Sequence, residues 1–260
     1  MTLLQAILLG LLQGATEYLP VSSSGHLLLL QHFWAIPQHV RLALTATLHA
    51  GTALALLAYF GRTIGGLLAS LVGRHRYSGI DGWRKIGYIA LGTIPAAAAG
   101  LFLDSFIVSR ASSPASTGAM LLVTAALLLA TRWAVREGGR MSWLPALAIG
   151  LAQAVAILPG VSRSGATIGV ALLIGIGREE AFEFSFLLSV PVVLAAAVRE
   201  MIRLDLSVVS PVPLAMGIGT AFVVGLGALT LLRRLVVGRR LWWFSVYCAT
   251  VGLLVLVLVR

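Results

Sequence analysis

Charged side chains are scarce in this sequence. Only 11% of the 260 residues are charged, whereas a soluble domain carries about a quarter. Aspartate and glutamate together number nine. Cysteine occurs once, as Cys248, which excludes an internal disulfide and any multi-cysteine metal site. The apolar runs lack the strict alternation of barrel strands, which excludes a transmembrane β-barrel. The first twenty residues lack a basic leader. They carry Glu17 where a cleavage site needs small neutral residues, so this segment is expected in the mature protein.

What remains is strongly apolar: 59% hydrophobic residues and a mean hydropathy of +0.98. A hydrocarbon core of about 30 Å needs about 20 apolar residues per helical span. Six segments reach that length, at roughly 40–60, 85–105, 114–134, 180–199, 211–233 and 241–259. The fold class expected is an all-α polytopic membrane protein, a single membrane domain over residues 1–260. Two further apolar stretches, 1–34 and 142–177, are interrupted by Pro, Gly and Ser. Broken helices are tolerated at membrane depth only against protein or a wet cavity. Each stretch therefore reads as a re-entrant helical hairpin.

The net charge of +10 comes from arginines in short loops. Positive-inside bias and anionic lipid head groups explain it, and nucleic acid is not an expected partner. Loops 61–85, 132–140 and 233–240 hold twelve basic residues, and the opposite loops and ends hold five, Arg41, Arg110, Arg199, Arg203 and Arg260. That asymmetry predicts cytoplasmic loops for the first group, including the "RHRY" run at 74–77, and both termini outside. Trp34, Trp83, Trp133, Trp143, Trp242 and Trp243 fall near predicted span ends, as an aromatic belt requires.

The stretch "GLLQGATEYLPVSSSGH" at 10–26 aligns without gaps on "GLAQAVAILPGVSRSGA" at 150–166, with seven of seventeen positions identical. Three spans follow each copy. An odd number of spans turns the second copy over, which predicts an inverted-topology repeat: 1–140 the first copy, 141–260 the second, each a hairpin plus three spans.

Each break is followed by a restarted helix with free N–H groups, which favour an anion. Ser22, Ser24 and Gly25 in the first hairpin, and Ser162, Ser164, Gly165 and Thr167 in the second, are the expected phosphate-binding residues, with plain helix capping as the bland alternative for the serines. Arg163 adds a guanidinium suited to phosphate oxygens. Gln13 and Glu17 share a helix face, so Glu17 can hold a hard divalent cation, act as a base, or simply pair with Arg163. His26 is a candidate proton-transfer group. His49, in the first span, is expected to be a hydrogen-bonded packing residue. Glu179, Glu180 and Glu183 are expected at the start of the fourth span, where acidic groups suit a helix N-terminus.

"QGATEYLPVSSSGH" and "PGVSRSGAT" together resemble the two motifs of the undecaprenyl-diphosphate phosphatase, or bacitracin-resistance protein, family. "FSFLLSVP" at 184–191 and "GTIPAAAAG" at 92–100 are also similar to family segments. The resemblance covers the whole chain. It implies removal of the terminal phosphate from undecaprenyl diphosphate, which recycles the lipid carrier of peptidoglycan synthesis and confers bacitracin resistance. It implies a divalent metal, Mg²⁺ or Ca²⁺, held by Glu17 and Gln13, and a site on the outer face of the bacterial cell membrane. Catalytic roles carry over to Glu17, Ser23, His26 and Arg163. Many family members have Glu where this chain has Gln13, which removes one formal charge from any metal site.

The nucleophile is either Ser23 or a water held by the same groups. A polyprenyl-phosphate flippase or secondary transporter fits the same features, since inverted repeats with broken helices are a transporter layout; a non-catalytic membrane scaffold is a second rival, which would not need Glu17, His26 and Arg163 to converge. The sequence leaves monomer and homodimer open.

Overall fold

The computed structural model describes residues 2–34, 38–72, 82–102, 113–134, 138–202 and 211–258. They form helices α1 (Leu3–Tyr18), α2 (Ser23–Phe33), α3 (Gln38–Leu71), α4 (Gly82–Phe102), α5 (Pro114–Ala130), α6 (Trp143–Val155), α7 (Arg163–Leu173), α8 (Arg178–Ile202), α9 (Pro211–Val237) and α10 (Trp243–Leu258). A single 3₁₀ turn, Thr131–Trp133, extends α5. Among the described residues the β pairing is one isolated bridge, Gly139 to Ile176. The protein is an all-α polytopic membrane protein, as expected.

Five helices are long and apolar enough to cross a membrane: Thr45–Leu71, Gly82–Phe102, Pro114–Trp133, Arg178–Arg199 and Pro211–Val237. The sixth expected span appears as α10, 16 residues long. Local chemistry sets several ends. Thr2 and Gln5 form a capping box at α1. Ser113 caps α5, with Pro114 in its first turn. Both expected breaks occur, between α1 and α2 and between α6 and α7. Arg74, Arg76, Arg110, Arg136, Arg203 and Arg260, and the "RHRY" run, lie outside the described residues. Trp83, Trp133, Trp143 and Trp243 stand exposed near helix ends, as the belt predicts.

Each hairpin folds back on itself. Leu9 and Leu12 of α1 pack with Leu27 and Leu30 of α2. The Gly139–Ile176 bridge joins the chain entering α6 to the chain leaving α7. The hairpins then pack away from their own halves: α1 lies along α9, and α6 lies along α4. Small residues make both contacts close. A Cβ at Gly10 would stand 2.6 Å from the Gly217 carbonyl, and one at Gly14 would stand 2.8 Å from that of Ala221. Gly150, the counterpart of Gly10, faces the Gly92 backbone of α4 in the same way. Close backbone approach through small residues is how helices associate where no water drives them together. Helix α5 pairs with α10, and α3 packs on both α8 and α9.

The apolar core runs through the middle of the bundle. Phe182 and Phe186 of α8 stack against Phe60 of α3 and Tyr18 at the end of α1, with Phe182 to Phe186 centroids 4.9 Å apart. At one pole the buried Arg178 donates to the carbonyls of Ala134 and Val236, satisfying the ends of two helices. The acidic start of α8 is as expected, with Glu179 bonded to Arg233 and Glu183 to Lys85.

Candidate active site

The two hairpin tips meet inside the bundle. Helix α1 ends at Tyr18, and the chain turns through Leu19–Val21 to Ser22, which sits at φ 68. This left-handed conformation is unusual for a residue with a Cβ. Ser22 is buried, and its Oγ accepts the Gly160 N–H from the other tip at 3.2 Å. Gly160 itself has φ 98. Its carbonyl accepts from Thr124 of α5, whose Oγ1 in turn accepts the Ser162 N–H, both at 3.0 Å. Ser162 caps α7, its Oγ accepting the Gly165 N–H at 3.1 Å. Helix α7 thus begins with Arg163 aimed back at α1.

Glu17 is the centre of the cluster. Arg163 Nη2 donates to its Oε1 at 2.5 Å. Ser23 Oγ donates to its Oε2 at 2.6 Å, and Gln13 Nε2 donates to the same oxygen at 3.1 Å. His49 Nε2 of α3 lies 3.7 Å from Oε2. Gln13 Nε2 also reaches Thr52 Oγ1 at 3.3 Å, and the Tyr18 hydroxyl donates to the Thr52 carbonyl. A cavity of about 140 Å³ opens beside this group. Glu17, His49, Thr52 and Arg163 line its polar side; Val192, Val193, Ala196 and Ala197 of α8 line the other. A mostly buried carboxylate like Glu17 keeps its charge because it has several partners.

The expected residues divide into those gathered on Glu17, of which Glu17 and Arg163 line the cavity, and those away from it. Gln13, Glu17, Ser23 and Arg163 converge. Ser22 and Ser24 pair through their hydroxyls at 3.3 Å, as do their counterparts Ser162 and Ser164. Ser22, Gly25, Ser162, Ser164 and Gly165 are buried in the tip-to-tip packing and do not line the cavity. Ser24 is exposed. The Thr167 hydroxyl donates to the Arg163 carbonyl one turn back, so it serves its own helix. Of these hydroxyls, Ser22 alone joins one tip to the other, and those of Ser24, Ser162, Ser164 and Thr167 bond within their own hairpin.

His26 points away from the cavity. Its Nδ1 bonds the Ser22 carbonyl at 2.8 Å, and its Nε2 bonds the Tyr247 hydroxyl of α10 at 2.7 Å. Both ring nitrogens are occupied away from Glu17. His49 does face a neighbouring helix, lining the cavity beside Glu17 of α1. Thr52, three residues on, falls on the same helical face. An ionisable residue inside a span was the available signal for His49.

Among the described residues no cluster of three or more His, Cys, Asp or Glu occurs. A hard cation would find the Glu17 carboxylate and Gln13 Oε1, a buried oxygen with no hydrogen-bond partner. Oxygen is the donor type that Mg²⁺ and Ca²⁺ take, and both Glu17 oxygens are here engaged by Arg163, Ser23 and the Gln13 amide N–H.

The model of the bacitracin resistance protein BacA matches residues 6–254. The chain belongs to this family. An undecaprenyl-diphosphatase of Korarchaeum cryptofilum is 40% identical over 98% of this chain and 99% of its own length. One from Desulfatibacillum aliphaticivorans is 40% identical over 98% of both chains. One from Thermotoga petrophila is 37% identical over 95% of this chain and 97% of its own.

Proposed function

We propose that this BacA-family member is a membrane phosphatase that hydrolyses undecaprenyl diphosphate to undecaprenyl phosphate and inorganic phosphate. The observation that carries the reading is the Glu17 carboxylate, which joins the Ser23 hydroxyl of one hairpin to the Arg163 guanidinium of the other. The relatives' shared activity supplies the substrate.

Ser23 Oγ attacks the terminal phosphorus, and its proton passes to Glu17 Oε2, 2.6 Å away. The bond from that phosphorus to the bridging oxygen breaks, and undecaprenyl phosphate leaves. Water then hydrolyses the phosphoserine and releases phosphate. Arg163 turns from Glu17 to the phosphoryl oxygens and neutralises their charge, the main requirement of phosphoryl transfer. Gln13 and Glu17 are the residues that would hold Mg²⁺ or Ca²⁺, which when bound adds positive charge at the same oxygens. Val192, Val193 and Ala196 offer the prenyl chain an apolar wall.

Residues 1–140 and 141–260 form inverted copies. Support comes from the ungapped motif alignment, the recurring order of hairpin and three helices, and the exchanged packing of α1 on α9 and α6 on α4. The basic-residue asymmetry favours the cytoplasm for the pole bearing Arg132, Arg140 and Arg240. Both termini, and by family resemblance the site, then belong on the outer side of the cell membrane.

The test is direct. Purified protein in detergent is given undecaprenyl diphosphate with Mg²⁺ or Ca²⁺, and inorganic phosphate is measured. Release that is abolished in Ser23→Ala supports the reading. No release from the wild-type protein overturns it.

A further inference from the structure

A second concentrated charge lies at the pole remote from the α1–α2 hairpin. It is built from the end of α5 and the junction of α9 with α10. Arg132, Arg233, Arg234, Arg239 and Arg240 are all exposed there. Arg233 is bidentate on Glu179, its Nε and Nη2 at 3.0 and 2.9 Å from the two carboxylate oxygens. Arg132 and Arg240 sit differently. The Arg132 Cζ lies over the Trp242 ring at 5.0 Å, and the Arg240 Cζ lies over the Trp243 ring at 5.1 Å. The two indoles are themselves perpendicular, 6.4 Å apart.

The turn between α9 and α10 holds this arrangement in place. The N–H groups of Gly238, Arg239 and Arg240 donate to the carbonyls of Arg234, Val236 and Leu235. Arg239 takes φ 60 in the process. Leu241 is buried beneath, and Arg178 donates to the Val236 carbonyl from inside. The arginines therefore stand on a fixed turn. Stacking on an indole uses the guanidinium face and leaves the N–H edges free to donate. Trp243 is about half exposed, which suits an indole at the boundary of hydrocarbon and head groups.

We propose that this Arg–Trp pole is a binding site for anionic phospholipid, with Arg132 and Arg240 donating to the head-group phosphate and Trp242 and Trp243 bordering its acyl chains. Charge complementarity selects the occupant. Basic residues beside a span attract anionic lipid, and here two of them stand over indole rings at the ends of apolar helices. The site is independent of the diphosphatase reading.

The experiment compares thermal melting in nanodiscs of phosphatidylcholine alone and of phosphatidylcholine with phosphatidylglycerol. The wild-type protein is expected to melt roughly 2–4 °C higher with phosphatidylglycerol. Arg132→Gln with Arg240→Gln should lose that gain, and Arg62→Gln with Arg84→Gln should keep it. A gain that survives in the first pair, or falls equally in the second, overturns the proposal. Should the glutamine pair fail to fold, Arg132→Lys with Arg240→Lys is examined by native mass spectrometry. Fewer retained phosphatidylglycerol molecules than wild type support the stacked site, and an unchanged number overturns it.

Discussion

Arg163 reaches Glu17 across 146 positions of chain, Nη2 to Oε1 at 2.5 Å. The contact ties the start of α7 to the end of α1. Both side chains are mostly buried, so each is the other's main neutralising partner.

Arg163→Lys keeps the charge but loses the planar fork. Turnover of undecaprenyl diphosphate should fall at least about 100-fold, the usual cost of losing one oriented donor. Melting temperature should change little, because Glu17 keeps a cation nearby. Phosphate release at near wild-type rate would remove Arg163 from the chemistry.

Ser23 and Glu17 act as one unit in the proposed mechanism, and their losses should not add. Ser23→Ala and Glu17→Gln should each abolish most activity, and the double variant should be no slower than the slower single one. Single-turnover rates of the three proteins check this. Multiplying losses would mean that the two groups work separately.

Ser22→Ala removes the acceptor for the Gly160 N–H while leaving a Cβ in a left-handed backbone. A buried donor left without a partner costs about 1–3 kcal/mol. Ser24 is exposed, and Ser24→Ala should stay within about 0.5 kcal/mol of wild type. Thermal unfolding of the two variants side by side gives the comparison. Equal stability would deny Ser22 its role as a tip-to-tip joint.

Gly150→Ala would drive a methyl into the backbone of Gly92, and Gly10→Ala would drive one into the carbonyl of Gly217. Neither neighbour is the end of a flexible side chain. Overpacking of this kind costs about 1–3 kcal/mol. Both variants should melt clearly below wild type, and Gly219→Ala, which meets open space, should not.

Lys85 Nζ lies 2.5 Å from Glu183 Oε1 within the bundle. Lys85 is buried and Glu183 about a third exposed, so Lys85→Met should destabilise modestly by removing a cation from a partly buried carboxylate. Lys85→Met combined with Glu183→Leu should recover part of the loss, because an ion pair with one buried member can often be replaced by apolar residues at little cost. A double-mutant cycle on unfolding decides it. An additive double variant would show that the pair is not coupled.

The spans were legible because length and hydropathy alone decide which segments can cross. The hairpins were legible for a related reason: Pro159, Gly160 and the serines cannot continue a helix in lipid, so they announce a turn. The pairing of Glu17 with Arg163 was one of three uses the sequence left open for the carboxylate, beside holding a cation and acting as a base. What escaped was direction. Nothing local says that His26 faces Tyr247, which lies 221 residues away on α10. Ser22 carries no glycine to announce its left-handed backbone. His49 sits in an apolar run whose orientation depends on how α3 packs, which the run itself does not encode.

The contact between α1 and α9 is made by main chain against main chain, with Gly10 and Gly14 as its bearing points. Long side chains would let two helices roll over one another by changing rotamer. At these two points there is little to re-pack, so α1 is keyed like a shaft in a slot. The angular setting of Gln13 and Glu17 is thereby fixed by residues that carry no side chain at all. A substitution along this seam would reach the carboxylate by rotation rather than by contact.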